Sequence, residues 1–223
     1  MQRIVEPEIM DDLLQVQAYA DADFSEPNAN FVDLLIQNHG EHIQGQCLDL
    51  GCGPGDICYR MARQFPDLHI TGVDGSRRML ESALQAAAWN EFSSRVTFEQ
   101  HVLPSPNLSA RQFDLITSNS LLHHLHDPQV LWQTISHSCK PGGAIQIMDL
   151  FRPQSAEHAR AIVDHYAVEE AEILKQDFYY SLLAAFTPDE VADQLKEANL
   201  NHLSIEVISD RHLLVHGTGQ VAR

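Results

Sequence analysis

A strand-like run, Cys47-Leu48-Asp49-Leu50, passes directly into Gly51-Cys52-Gly53-Pro54-Gly55, with three glycines at alternate positions. Few sequences constrain a fold more tightly. Without a Cβ the chain can turn sharply and lie close against a ligand. The amphipathic stretch that follows opens a helix whose free N–H groups favour polar or anionic ligand atoms. An ordinary tight strand-to-helix turn needs one glycine, so three point to a nucleotide-type cofactor.

The spacing says which kind. A dinucleotide fingerprint, G-x-G-x-x-G, would place its third glycine at position 56, which is Asp56. The order here is Asp49-x-Gly51-x-Gly53-x-Gly55. His69-Ile70-Thr71-Gly72-Val73-Asp74 reads as the next strand and ends in an acid 19 residues after Gly55. In a βαβ nucleotide site such an acid accepts hydrogen bonds from ribose hydroxyls. Together these segments resemble the class I S-adenosylmethionine-dependent methyltransferases, small-molecule branch, over roughly residues 45–216.

The resemblance implies a seven-stranded, doubly wound, mostly parallel α/β sheet closed by an antiparallel hairpin. It implies methyl transfer from S-adenosylmethionine, leaving S-adenosylhomocysteine. The cofactor residues it implies are Asp49, Gly51, Cys52, Gly53 and Gly55, then Asp74, Gly75, Ser76 and Met79. Asn119 would line the methionyl moiety, and Tyr19 would fold over the cofactor carboxylate or serve as a core tyrosine. Relatives carry Gly-Asp or Gly-Asn after strand three to hold the adenine amino group. Here Phe98-Glu99-Gln100-His101-Val102-Leu103-Pro104 has neither, which leaves the ring to the stretch holding Val102 and Leu103.

The chain alternates strand and helix signals throughout. Ile57, Cys58, Met61, Ala62 and Phe65 form one apolar helical face; Met79, Leu80, Ala83, Leu84, Ala87 and Ala88 form another, with Ser76 as its cap. Strands are expected at 96–100, 113–117 and 144–150, and a helix opening at Asp127-Pro128. Thr187-Pro188-Asp189-Glu190 is a capping box. The apolar runs 203–208 and 211–216 are too close for a helical crossover, so they form a hairpin. A single domain is expected over 1–223: an N-terminal helical cap (1–44), a cofactor core (45–153), a helical lid (154–186), and a last helix with hairpin (187–216).

Composition narrows the function. The 223 residues are 44% hydrophobic and 20% charged, and the formal net charge is −17. Nucleic-acid binders carry a basic footprint, so a nucleic-acid substrate is disfavoured. No run approaches the ~20 apolar residues of a membrane helix. The N-terminus lacks a basic region followed by an apolar one, and the four cysteines show no C-x-x-C pairing, so a reduced cytoplasm is expected. A monomer or a homodimer fits equally. The rival readings are an RNA methyltransferase working with a partner and a non-catalytic S-adenosylmethionine-binding protein; the intact first motif opposes the latter.

The acceptor end is expected beyond the carboxyl ends of the strands. There lies Leu121-Leu122-His123-His124-Leu125-His126-Asp127-Pro128. His123 and His124 are candidate general bases, because histidine titrates near neutral pH; the alternative is that one packs and the other faces solvent. Their spacing is not that of two ligands on a helix face and no neighbouring carboxylates complete a set, so no metal is expected. Asp149 and Arg152 either contact substrate or close the sheet edge as a salt bridge. Tyr179 and Tyr180 either roof an acceptor pocket or pack within the insertion.

Overall fold

The alternating architecture is present in the computed structural model, which describes residues 1–87 and 91–220. Two helices, α1 (Leu13–Asp21) and α2 (Ser25–His39), precede β1 (Gly45–Leu50), α3 (Asp56–Gln64), β2 (Leu68–Asp74), α4 (Arg77–Ala87) and β3 (Val96–Gln100). A short α5 (Pro106–Ser109) leads to β4 (Phe113–Asn119), a 3-10 turn (Leu122–His124), α6 (Gln129–Ser138) and β5 (Cys139–Leu150). The insertion is α7 (Ala156–Tyr166) and α8 (Glu172–Ala184); α9 (Pro188–Glu197), β6 (Ser204–Val207) and β7 (His212–Thr218) follow.

The sheet runs β3-β2-β1-β4-β5-β7-β6, parallel through β5 and antiparallel at β5–β7 and β7–β6. Strand order reverses direction between β1 and β4, and that switch point opens a crevice at the carboxyl ends of the strands. Alternation along β1 separates two cores. Leu48 and Leu50 join the cluster around Trp132, while Cys47 joins the one around Phe31. A third cluster, with Ala159, Ile162, Val163, Leu182 and Leu183, is internal to the α7–α8 pair.

Local signals held in detail. Met79 N–H donates to Ser76 Oγ (3.2 Å), and the Thr187–Glu190 box is reciprocal. On α4, Met79, Leu80 and Ala83 are buried as the pattern requires, but Leu84 faces solvent; Ala88 lies outside the described residues. Two boundaries moved. The sixth helix begins at Gln129, after Pro128, with Asp127 Oδ1 accepting from Gln129 N–H (3.0 Å). The fifth strand begins at Cys139 rather than 144, through a register shift that Gly142 (φ +78°) permits and the Lys140–Asp114 pair (2.8 Å) clamps. Among the described residues no helix is long and apolar enough to cross a membrane.

Candidate active site

A cavity of about 540 Å³ occupies the crevice, with Leu50, Gly51, Val73, Asp74, Asn119 and Met148 at its floor, and a smaller one of about 190 Å³ adjoins it beside Asp49 and Cys52. Gly51, Gly53 and Gly55 all have positive φ (+70°, +52° and +85°). A Cβ on Gly51 would lie 2.9 Å from Leu121 Cβ, and one on Gly55 2.7 Å from the Phe98 ring. At Gly53 nothing lies within 4 Å. That bare backbone, lining both cavities, is a cradle for a ligand.

Asp74 is fastened by two backbone donors. Its Oδ2 accepts from Gly53 N–H (2.9 Å) and its Oδ1 from Ser76 N–H (2.8 Å). Burial nonetheless raises its pKa, outweighing these backbone donors. Gly75, Met79, Val102 and Leu103 line the same end of the cavity, and His101 joins them. His101 is held between Glu99 (3.1 Å) and Ser105 Oγ (3.0 Å). Ser76 is buried and donates to Asp11 Oδ1 (3.0 Å), so it shapes the turn from behind.

Asp49 sits differently from its sequence expectation. It is 2% exposed, and its carboxylate accepts from Thr117 Oγ1 (2.7 Å) and Cys58 Sγ (3.1 Å). Burial raises its pKa despite those bonds. It reaches only the smaller cavity. Asn119 is the freer group there: its Oδ1 is buried without a hydrogen-bond partner among the described residues and lines both cavities. A buried unpaired acceptor is costly, and a ligand N–H would satisfy it. Tyr19 lines both cavities too, stacked on Phe24 at 4.7 Å, with its pKa pushed up to about 12 by burial.

At the other end, His123 is 3% exposed and its Nδ1 meets Asp149 Oδ1 at 2.6 Å. Burial works against its charged form, but the Asp149 carboxylate prevails and raises its pKa. The Nε2 lies 3.6 Å from Glu6 Oε1. His124 Nδ1 is 3.2 Å from the same oxygen, without hydrogen-bond geometry. Burial, then His123, push the His124 pKa down to about 3. Glu6 also accepts from Ser181 Oγ (3.1 Å), and burial raises its pKa.

The four candidates for substrate contact fall outside the cavity, and Gly55 and Ser76 line neither cavity. Asp149 stands behind His123 and also takes Leu122 N–H (2.7 Å). Arg152 does not pair with it: the guanidinium donates to Ala185 O (2.8 Å) and Glu190 (2.6 Å). Tyr179 packs in the α7–α8 core under Arg160 (4.1 Å), and Tyr180 is exposed. The aromatics that do roof the cavity are Tyr166 and Phe178, with Asp177 and Ser181 beside them. The sequence reading missed the N-terminal segment: Glu8, Ile9 and Met10 line the cavity, and Arg3 donates to His123 O (2.8 Å) and Leu125 O (2.9 Å). No spacing rule links residues some 120 positions apart.

A family model described as "Methyltransferase domain" matches residues 42–199. Phosphoethanolamine N-methyltransferase 1 of Arabidopsis thaliana is 29% identical over 77% of this chain, which spans only 35% of that protein's length. Demethylmenaquinone methyltransferase of Thermotoga maritima is 27% identical, over 74% of this chain and 72% of its own. Phosphoethanolamine N-methyltransferase 2 of Haemonchus contortus, solved with S-adenosyl-L-methionine, superposes with a TM-score of 0.60 at 21% identity, over 81% of this chain and 38% of that one.

Proposed function

Because the chain belongs to the methyltransferase-domain family, we propose that it moves a methyl group from S-adenosylmethionine to an O, N, S or C atom of a small metabolite. The observation that carries this reading is the pairing of a bare glycine cradle at Gly53 with the unsatisfied Asn119 Oδ1 at the mouth of β4. When bound, the cofactor supplies an already activated sulfonium methyl. The backbone of Gly51, Cys52 and Gly53 would pack against its methionyl part, with Asn119 Oδ1 taking an amino N–H and Tyr19 closing over it, while Gly55 lets the turn pass the Phe98 ring. Asp74 would accept from the ribose hydroxyls, and Gly75, Met79, Val102 and Leu103 would enclose the ring. Ser76 supports that wall, and Asp49 supports the turn through Thr117 and Cys58.

The protein's own contribution at the acceptor is position and proton handling. Alignment of nucleophile and methyl supplies most of the rate in such a reaction. His123, its Nδ1 held by Asp149, presents Nε2 for the acceptor's proton, and neutral His124 beside it offers an acceptor lone pair. The α7–α8 pair serves as a lid that keeps water out. Of the side chains lining the larger cavity, Arg211 is the one Arg or Lys, and it is spent on Asp210 (3.0 Å) and the Tyr166 ring. A cytoplasmic setting suits the four free thiols.

Calorimetric titration with S-adenosylmethionine and S-adenosylhomocysteine tests the cofactor reading. Both should bind at one site per chain, and a metabolite screen with labelled S-adenosylmethionine should then yield a methylated product. Folded protein that binds neither would overturn it.

A further inference from the structure

We propose that Glu6, His123 and His124 form a binding site for a divalent first-row transition-metal ion of the zinc type, at the acceptor end of the larger cavity. The inference deepens the proposed transferase reading and rests on it for the identity of that end. The three ligand atoms all lie within 4.8 Å of one another. Glu6 Oε1 is 3.6 Å from His123 Nε2 and 3.2 Å from His124 Nδ1. An ion with bonds of ~2.0–2.2 Å holds neighbouring ligands roughly 3–3.5 Å apart, close to both of these carboxylate–imidazole separations.

The surroundings are those of ligands held ready. Asp149 occupies Nδ1 of His123 (2.6 Å) and so turns its Nε2 lone pair toward Glu6; a carboxylate behind a histidine is the usual support for a metal ligand. Ser181 Oγ fixes the Glu6 carboxylate (3.1 Å). Arg3 clamps the backbone carbonyls of His123 and Leu125, setting the turn on which both histidines ride. The buried His124 Nδ1 has no hydrogen-bond partner among the described residues, so its lone pair is available to an ion. Two imidazoles and one carboxylate leave coordination positions open, and both histidines line the cavity. With an ion seated, both imidazole lone pairs are spent on it and the proton-handling role passes from His123 to the ion: an acceptor hydroxyl bound there has its pKa lowered and releases its proton to solvent, leaving an oxygen nucleophile.

The test uses the full chain, free of any affinity tag and stripped with chelator, titrated with Zn²⁺ by calorimetry and with Co²⁺ by visible absorption. One ion per chain is expected, with Co²⁺ giving the bands of nitrogen–oxygen ligation. Glu6→Gln and His124→Gln should each weaken Zn²⁺ by about tenfold or more, and Asp149→Asn by about 10–100-fold. Absence of binding, or affinity unchanged in both Glu6→Gln and His124→Gln, overturns the site and assigns any ion to surface histidines. Should a variant fail to fold, the Co²⁺ spectrum of the unsubstituted protein decides alone. S-adenosylhomocysteine titrated into the same samples keeps the two readings apart: cofactor without metal sinks only the metal site, and metal without cofactor sinks only the transferase.

Discussion

The two ends of the cavity are built by opposite means. The cofactor end is built mainly from residues 49–79, with Tyr19, Val102, Leu103 and Asn119 added, and leans on backbone: three positive-φ glycines and two amide donors to Asp74. The acceptor end draws on residues 6, 123, 124, 149, 166, 178 and 181, and uses side chains. Backbone geometry tolerates few alternatives, whereas side chains can be exchanged without disturbing the fold. One scaffold can therefore keep its cofactor while changing its substrate.

If the ends are separable, each should fail alone. His123→Gln should lower turnover of the identified acceptor by about 10²–10⁴-fold while leaving the calorimetric affinity for S-adenosylhomocysteine intact; a parallel loss of both would break the distinction. Asp74→Ala should do the reverse. Hydrogen bonds to a charged group are worth ~1.5–3 kcal/mol each, so losing two from the ribose weakens the cofactor by roughly 100-fold or more, read in the same titration.

Acidity sharpens the contrast. His124 and His212, with pKa values of about 3 and about 4, must stay neutral in the folded state. Their depressed values mean the unfolded chain takes up protons first, so stability falls as pH drops from about 6.5. The Tm should decline between pH 7 and pH 5, and the His124→Gln, His212→Gln double variant should flatten that decline. His123, whose pKa is raised, works the other way: its contribution is present in acid and fades as pH rises through its folded value. The smallest effects separate neighbours on α8. Phe178→Ala should raise the acceptor KM by roughly tenfold, in keeping with the ~1–3 kcal/mol of a lost apolar contact, while exposed Tyr180→Ala should leave it unchanged.

The same division explains what could be read from residues alone. The glycine turn, the acid at Asp74 and the Ser76 and Thr187 caps are local chemistry at fixed spacing, and each took its expected place. The candidates on β5 and α8 failed for a different reason. Which way Arg152 or Tyr179 points depends on Glu190 and Arg160, partners in other elements that no periodicity encodes. The N-terminal strap over His123 was invisible for the same cause, and with it the carboxylate that completes the Glu6–His123–His124 group. A carboxylate so far along the chain lies beyond any local ligand spacing.

The placement of β7 has a consequence for synthesis on the ribosome. It lies between β5 and β6, so a strand made after both of them seals the flank of the 12-residue β5. Until residues 212–218 emerge, β5 offers an open row of backbone donors and acceptors to any passing chain, the kind of edge on which nascent proteins aggregate. Once the hairpin docks, the exposed rim on that flank shrinks to the four residues of β6. A ribosome stalled before codon 212 should therefore hold a cofactor cradle already shaped, beside a sheet that still needs a chaperone's cover.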